Sequence, residues 1–159
     1  MKSRQELISQ PLRPEDIPNS LQRLNKFLKR GSWQDADRET DLLLLKFSQR
    51  TTVAAGVNDE PGKLYLPDLE LIVMDKLWIR NSRRKFGFSV QKEIWQQCGG
   101  EPGSFDKSVL ESFGEKVGWR KNGRWLDYKK IGYDISGFVG HLPTAIEHRE
   151  YCEVILSIV

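Results

Sequence analysis

Apolar residues recur at helical spacing along most of the chain. Leu21, Leu24, Phe27 and Leu28 form one stripe, predicting a helix over Pro18 to Arg30, with Gly31 as its stop. Ser32, with Asp35 three residues on, opens a second helix whose apolar face is Ala36, Thr40, Leu43, Leu44 and Phe47. Residues 51–66 are broken by Gly56, Asn58, Pro61 and Gly62 and read as a loop. Pro67 suits the first turn of a third helix lined by Leu71, Met74, Leu77 and Trp78. A basic, aromatic turn, Arg83 to Phe88, leads to a fourth helix from Ser89 to Cys98 with Val90, Ile94 and Cys98 on one face. Ser104 or Asp106 can cap a fifth, buried through Val109, Leu110 and Phe113. Residues 114–142 keep no period; long aperiodic connections in small domains tend to carry function. A last helix is expected from Pro143 to the end, along Ala145, His148, Cys152, Leu156 and Val159. The prediction is an all-α fold: an arm at 1–15, mobile and containing Pro11 and Pro14, then one helical domain at 16–159.

Length agrees with one domain, since 159 residues is close to the usual size. Sixteen aromatics, five of them Trp, provide a core and argue against disorder. No apolar run approaches the roughly 20 residues of a membrane span, and the N-terminus lacks the apolar centre of a signal peptide. Cys98 and Cys152 cannot form a disulfide framework, which suits a reducing compartment. His148 and Cys152 share a helical spacing, but no further ligands cluster with them, so a metal site is not expected. Nucleophile elbows, P-loops and dinucleotide fingerprints are absent, and an enzyme is not expected either.

Charge is informative in its placement. The formal net charge is only +3, yet Lys76, Arg80, Arg83, Arg84, Lys85 and Lys92 crowd one acid-free window. Lys116, Arg120, Lys121, Arg124, Lys129 and Lys130 crowd another, and Trp78, Phe86, Phe88, Trp119, Trp125 and Tyr128 are interleaved with the two groups. Three readings fit: core aromatics with a solvated cationic rim, a nucleic-acid module, or a site for a flat, apolar, dianionic small molecule.

Four blocks then carry a resemblance. They are Leu28, Gly31, Trp33, Ala36, Asp37 and Thr40; Asp75 to Trp78; Phe86 to Lys92; and Phe113-Gly114, Val117 to Arg120, Trp125-Leu126, Tyr128 and Gly140 to Pro143. In this order and spacing the chain resembles the genomes-uncoupled-four family, the porphyrin-binding accessory proteins of magnesium chelatase. The resemblance implies a cup-shaped helical domain whose walls are two long flexible loops, here 51–66 and 119–139. It implies protoporphyrin or magnesium protoporphyrin as ligand, no metal held by the protein itself, and no catalysis. The large porphyrin-binding subunit of the chelatase is the implied partner. By the same resemblance, Lys46 and Arg50 are expected at a propionate, Trp119 at the porphyrin face, and Phe88, Leu142 and Trp125 as walls. Arg120 and Arg124 are second candidates for carboxylates.

Beside these expectations, Trp33 and Trp78 lie on helical stripes and read as core, Gln91 as a partner for backbone groups, and His141 as a structural hydrogen-bonder. One stretch departs from the family: Leu66 to Leu71, followed by Ile72-Val73-Met74, is apolar where the family is more polar. That leaves open a divergent paralogue acting as a bilin or porphyrin sensor or interaction domain outside the chelatase pathway, and the nucleic-acid module stays as a further alternative. The expected setting is a monomer with no nucleic-acid partner, cytoplasmic in a cyanobacterium or chloroplastic in a eukaryote. Peripheral thylakoid association would then run through the partner.

Overall fold

The structure, a computed structural model, describes residues 2–55, 66–144 and 149–159, with side chains at 2–48, 66–144 and 154–159. Seven helices carry the described fold: α1 (Arg4–Ser9), α2 (Gln22–Lys29), α3 (Trp33–Ala55), α4 (Asp68–Asn81), α5 (Phe88–Gln97), α6 (Lys107–Lys116) and α7 (Arg149–Ile158). A two-residue antiparallel hairpin, β1 (Arg120–Lys121) and β2 (Arg124–Trp125), is the one sheet among the described residues. Its register pairs Arg120 with Trp125. The fold is thus mainly helical, as expected.

Helix α4 is the centre. Leu71 through Asp75, Leu77 and Trp78 are all buried, because α1, α2, α5 and α7 pack around it. This accounts for the apolar run at 66–74: a helix covered on several sides needs no polar face. Leu69 and Val73 line a cleft with Leu7 of α1, on the side where the N-terminal arm docks. Within that arm, Ser3 and Glu6 form a reciprocal capping box that starts α1. Lys76 Nζ donates to the carbonyls of Ile8 (3.0 Å) and Gln10 (2.7 Å), and Arg80 donates to that of Leu12 (3.4 Å).

The expected stripes face the core, with Phe27, Ile94, Cys98, Val109 and Leu110 half-buried at its edge. Leu21, Leu24 and Leu28 of α2 and its lead-in pack with Ala36, Leu43, Leu44 and Phe47 of α3. Trp33, Trp78 and Phe86 form an aromatic cluster with centroid separations of 5.4–6.3 Å. Helix α5 starts one residue earlier than its pattern suggests, and Asp106 rather than Ser104 caps α6 by accepting from Ser108 and Val109. Of the last predicted helix, residues 145–148 and the side chains of His148 and Cys152 lie outside the described residues.

Buried polar pairs fix how the helices meet. Trp78 Nε1 donates to Thr40 Oγ1 (3.0 Å), which in turn donates to Ala36 O (2.8 Å). Asp75 on α4 accepts from Ser89 N (2.9 Å) and from the Ser89 hydroxyl, tying the start of α5 to the central helix. Asp37 on α3 accepts from Thr144 N (2.7 Å), Thr144 Oγ1 (2.8 Å) and Tyr128 Oη (3.1 Å). The two aspartates tie the start of α5 and the end of the segment before α7 to α4 and α3, respectively.

Asp75→Ala leaves the half-buried Ser89 amide and hydroxyl without their acceptor, which costs about 1 kcal/mol. In urea unfolding the midpoint should fall with the slope unchanged; an unchanged midpoint contradicts this role. Burial pushes the carboxyls of Asp37 and Asp75 above the ordinary carboxylate range, outweighing the hydrogen bonds that pull them down. Between the unfolded value near 3.9 and the raised native midpoint, the folded state holds more protons. Stability contributed by these groups therefore falls as pH rises through that window. The thermal midpoint of Asp37→Asn should gain on the unsubstituted protein as pH is raised from about 4 to 7. A difference independent of pH contradicts the assignment.

Candidate functional site

The stretch between α6 and α7 is held at both ends and, between them, through Tyr128. At its start, Gly118 adopts φ +79, and Trp119 follows with its indole in the core, edge-on to Phe113 at 5.6 Å. Trp119 Nε1 donates to His141 O (2.7 Å) across the base of the loop. His141 Nδ1 lies 2.6 Å from the Val117 carbonyl, which makes Nδ1 the protonated nitrogen. At the far end Gly140 N donates to Lys85 O (2.8 Å), and Gly87 N to Leu142 O (3.0 Å). Gln91, fully buried, donates from Nε2 to the carbonyls of Gly140 (2.9 Å) and Pro143 (2.7 Å). In the middle, Tyr128 reaches Asp37 and packs edge-on against Tyr133 at 6.0 Å.

So fastened, the segment presents its remaining apolar groups outward. Trp125 is 41% exposed, Phe138 57% and Val139 51%. Two clefts flank the hairpin. One, of about 450 Å³, is lined by Phe105, Lys107, Leu110, Glu111, Trp119 and Trp125. The other, of about 540 Å³, carries Arg120, Lys121, Leu126, Lys130, Phe138 and His141. Both volumes fall in the range of small-molecule sites. The floor of the first is made possible by Gly114: a Cβ there would stand 2.5 Å from the Trp125 ring.

Trp119 and Trp125 therefore meet in one cleft, but unequally. Trp119 is 1% exposed and serves as support, while Trp125 supplies the accessible face. Phe88 and Leu142 are fully enclosed and offer no ligand surface; they plug the core beneath the loop, which corrects the expectation that they form walls. Arg120 is held between Glu111 (3.5 Å) and Glu115, so its charge is already compensated and it is a poor carboxylate receptor, again unlike the expectation. Arg124 is exposed on β2 beside Trp125. Lys46 is exposed on α3, one turn from exposed Leu42 and next to exposed Leu45, and lines neither cleft. The Arg50 side chain lies outside the described residues, as does most of the first loop. Sequence reasoning placed no hairpin here, although Asn122-Gly123, at φ +51 and +73, is the two-residue turn signal for one. Lys121 and Lys130, expected only as members of the basic window, and Phe138 line the second cleft.

Among the described residues, no group of three or more His, Cys, Asp or Glu is placed to hold a metal ion, and no helix is long and apolar enough to cross a membrane.

Comparison with known proteins agrees with this architecture. The chloroplastic tetrapyrrole-binding protein of Arabidopsis thaliana is 29% identical over 150 residues, covering 84% of this chain and 52% of that protein. The Ycf53-like protein of a Synechocystis strain is 36% identical over 78 residues, 48% of this chain and 30% of its own length. The chain thus spans about half, or less, of these relatives. The ligand-free structure of Arabidopsis thaliana GUN4 superposes with a TM-score of 0.66 at 25% identity, covering 88% of this chain and 93% of that one. GUN4 from Chlamydomonas reinhardtii gives 0.65 at 23% identity, with 95% and 94% covered. A family model described as GUN4-like matches residues 15–157, nearly the whole chain, and the protein belongs to that family.

Proposed function

We propose that this protein binds a cyclic tetrapyrrole, protoporphyrin or its magnesium chelate, and stimulates magnesium chelatase through the large porphyrin-binding subunit without itself catalysing a reaction. The observation that carries the reading is the fastened segment with its outward aromatics and cations, in a chain whose Arabidopsis relative is named a tetrapyrrole-binding protein. A porphyrin has two large apolar faces and two carboxylates at one edge. Trp125 supplies an aromatic face, and Leu126 and Phe138 supply further apolar surface. Lys121, Arg124 and Lys130 supply charge around them, and Lys46 stands as a further cation on α3.

Magnitudes separate their roles. Apolar burial contributes roughly 25 cal/mol per Å², so covering one macrocycle face is a matter of several kcal/mol. Exposed cation–carboxylate contacts contribute about 0.2–1 kcal/mol each. Affinity then comes from the aromatic and aliphatic surface, and the cations select the orientation of the acidic edge. The nucleic-acid alternative is weakened, since four of the twelve cations behind it are engaged within the chain: Lys76 and Arg80 by the arm, Lys92 by the Val159 carbonyl and Arg120 by two glutamates.

Titration with deuteroporphyrin, followed by Trp quenching, should saturate. Trp125→Ala should weaken binding about tenfold, the equivalent of about 1.4 kcal/mol, while Arg120→Ala should change it far less. Absence of a saturable change contradicts tetrapyrrole binding. Trp119→Ala should act on the fold instead, lowering stability by about 3–5 kcal/mol. In an assay with the chelatase subunits, the unsubstituted protein should raise magnesium insertion. Normal porphyrin binding without that stimulation would assign the chain to a sensor or interaction role outside the pathway.

A further inference from the structure

We propose that the turn Arg83-Arg84-Lys85, with the cleft beside it, is a docking site for an acidic segment of a partner protein that inserts an apolar side chain between cations. The starting point is a backbone anomaly. Where the described chain needs a left-handed residue it uses glycine, or Asn122, at every position but two. The exceptions are Arg83 (φ +54) and Arg84 (φ +63), in succession. Long side chains in this region are strained, and Gly or Asn would be tolerated better. Strain that the surroundings hold in place, at a position where a cheaper residue is available, points to a use for the side chain.

The surroundings do hold it. Arg84 N donates to Ile79 O (2.8 Å), Lys85 N to Ser82 O (3.2 Å), and Phe86 N to the Ser82 hydroxyl (2.9 Å), which is buried. Fully buried Phe86 anchors the turn from below. The backbone that carries the cations is consequently fixed. The cations are also available. Arg83 makes no hydrogen bond or ion pair among the described residues, and Arg84 has only a loose, exposed contact with Glu93 at 3.7 Å. By contrast Lys76, Arg80 and Lys92, the other cations of this window, are engaged with backbone carbonyls.

Beside the turn lies a cleft of about 400 Å³ lined by Arg84, Val90, Glu93, Ile94, Lys116 and Val139, among others. Its apolar floor is Val90, Ile94 and half-exposed Val139, and cations from two elements, Arg84 and Lys116, stand on its rim. This pattern suits a peptide with carboxylates flanking an aliphatic residue. A lipid surface would be met by a convex apolar protrusion, whereas here the apolar groups line a hollow. A single-stranded nucleic acid would want an aromatic platform, and the cleft has none. The site is separate from the two clefts of the proposed tetrapyrrole surface, yet Lys85 O accepts from Gly140 N, so the turn and the end of that segment share a bond.

Random dodecapeptides displayed on phage and selected on the immobilised full chain test this. Counter-selection uses Arg83→Asn/Arg84→Asn, a variant that keeps the left-handed backbone and removes the charge. The expected result is a consensus with at least two acids around one aliphatic residue. Synthesised with a fluorescein label, that peptide should bind at least fivefold more weakly to Arg83→Asn/Arg84→Asn and to Lys116→Glu. It should also weaken when its aliphatic residue is replaced by Ser. Deuteroporphyrin binding should persist in the variants, which separates this proposal from the tetrapyrrole reading. The proposal is overturned by a consensus without acids, by no enrichment over the counter-variant, or by equal affinity in the variants. It is also overturned if phosphatidylserine-containing vesicles or oligo-dT bind more tightly than the peptide with the same variant dependence.

Discussion

The structure depends on one buried carboxylate. Asp37, on the helix that begins the core, accepts three hydrogen bonds from residues about ninety and more than a hundred positions away, Tyr128 and Thr144. Together with Gln91 and the Lys85 carbonyl, that acceptor anchors the segment between α6 and α7, whose described residues hold little regular structure of their own beyond a two-residue hairpin. A long loop ordered by distant anchors can leave stretches between them unpacked, and Trp125 and Phe138 lie in such exposed stretches. Burying the Asp37 carboxyl carries a desolvation cost that its three hydrogen bonds offset only in part.

The same logic changes how the family blocks are read. Asp37, Thr40, Asp75, Trp78, Gln91, Trp119 and His141 are the polar and indole residues that the blocks bury. Most are one half of a side chain–backbone or side chain–side chain pair that sets how two elements meet. They specify a scaffold. The accessible groups that can meet a tetrapyrrole, Lys121, Arg124, Trp125, Lys130 and Phe138, lie for the most part between the blocks. A relative could keep the blocks, and so the fold, while altering what it binds.

How much of this the sequence shows follows from which signals are periodic. Helical stripes predict the cores of α2 to α6 within a few residues, and they place Trp78 inside because it falls on one. The roles of Gln91 and His141 were also legible, since a buried amide or imidazole in a turn needs backbone partners. In the aperiodic stretch no such signal exists. Trp119 and Trp125 are six residues apart and similar in context, yet one turns into the core and the other out; the difference is set by Gly118 before one and Gly114 beneath the other. For the same reason Phe88 and Leu142 could be taken for walls. Some local signals were available and unread: Ser3 to Glu6 spells a capping box for α1, and Asn122-Gly123 spells a hairpin. The engagement of Arg120 by Glu111 and Glu115 depends on a helix end meeting a strand, which sequence alone does not display.

The central claim is that the anchored segment offers Trp125 to a flat aromatic ligand while the other indoles remain structural. Fluorine NMR of protein labelled with 5-fluorotryptophan reads all five Trp residues at once, with the Trp125 signal assigned by Trp125→Phe. On addition of deuteroporphyrin the account predicts a saturable ring-current shift of the Trp125 resonance, with those of Trp78 and Trp119 nearly fixed. A Trp125 resonance that stays in place while porphyrin binds elsewhere would contradict it.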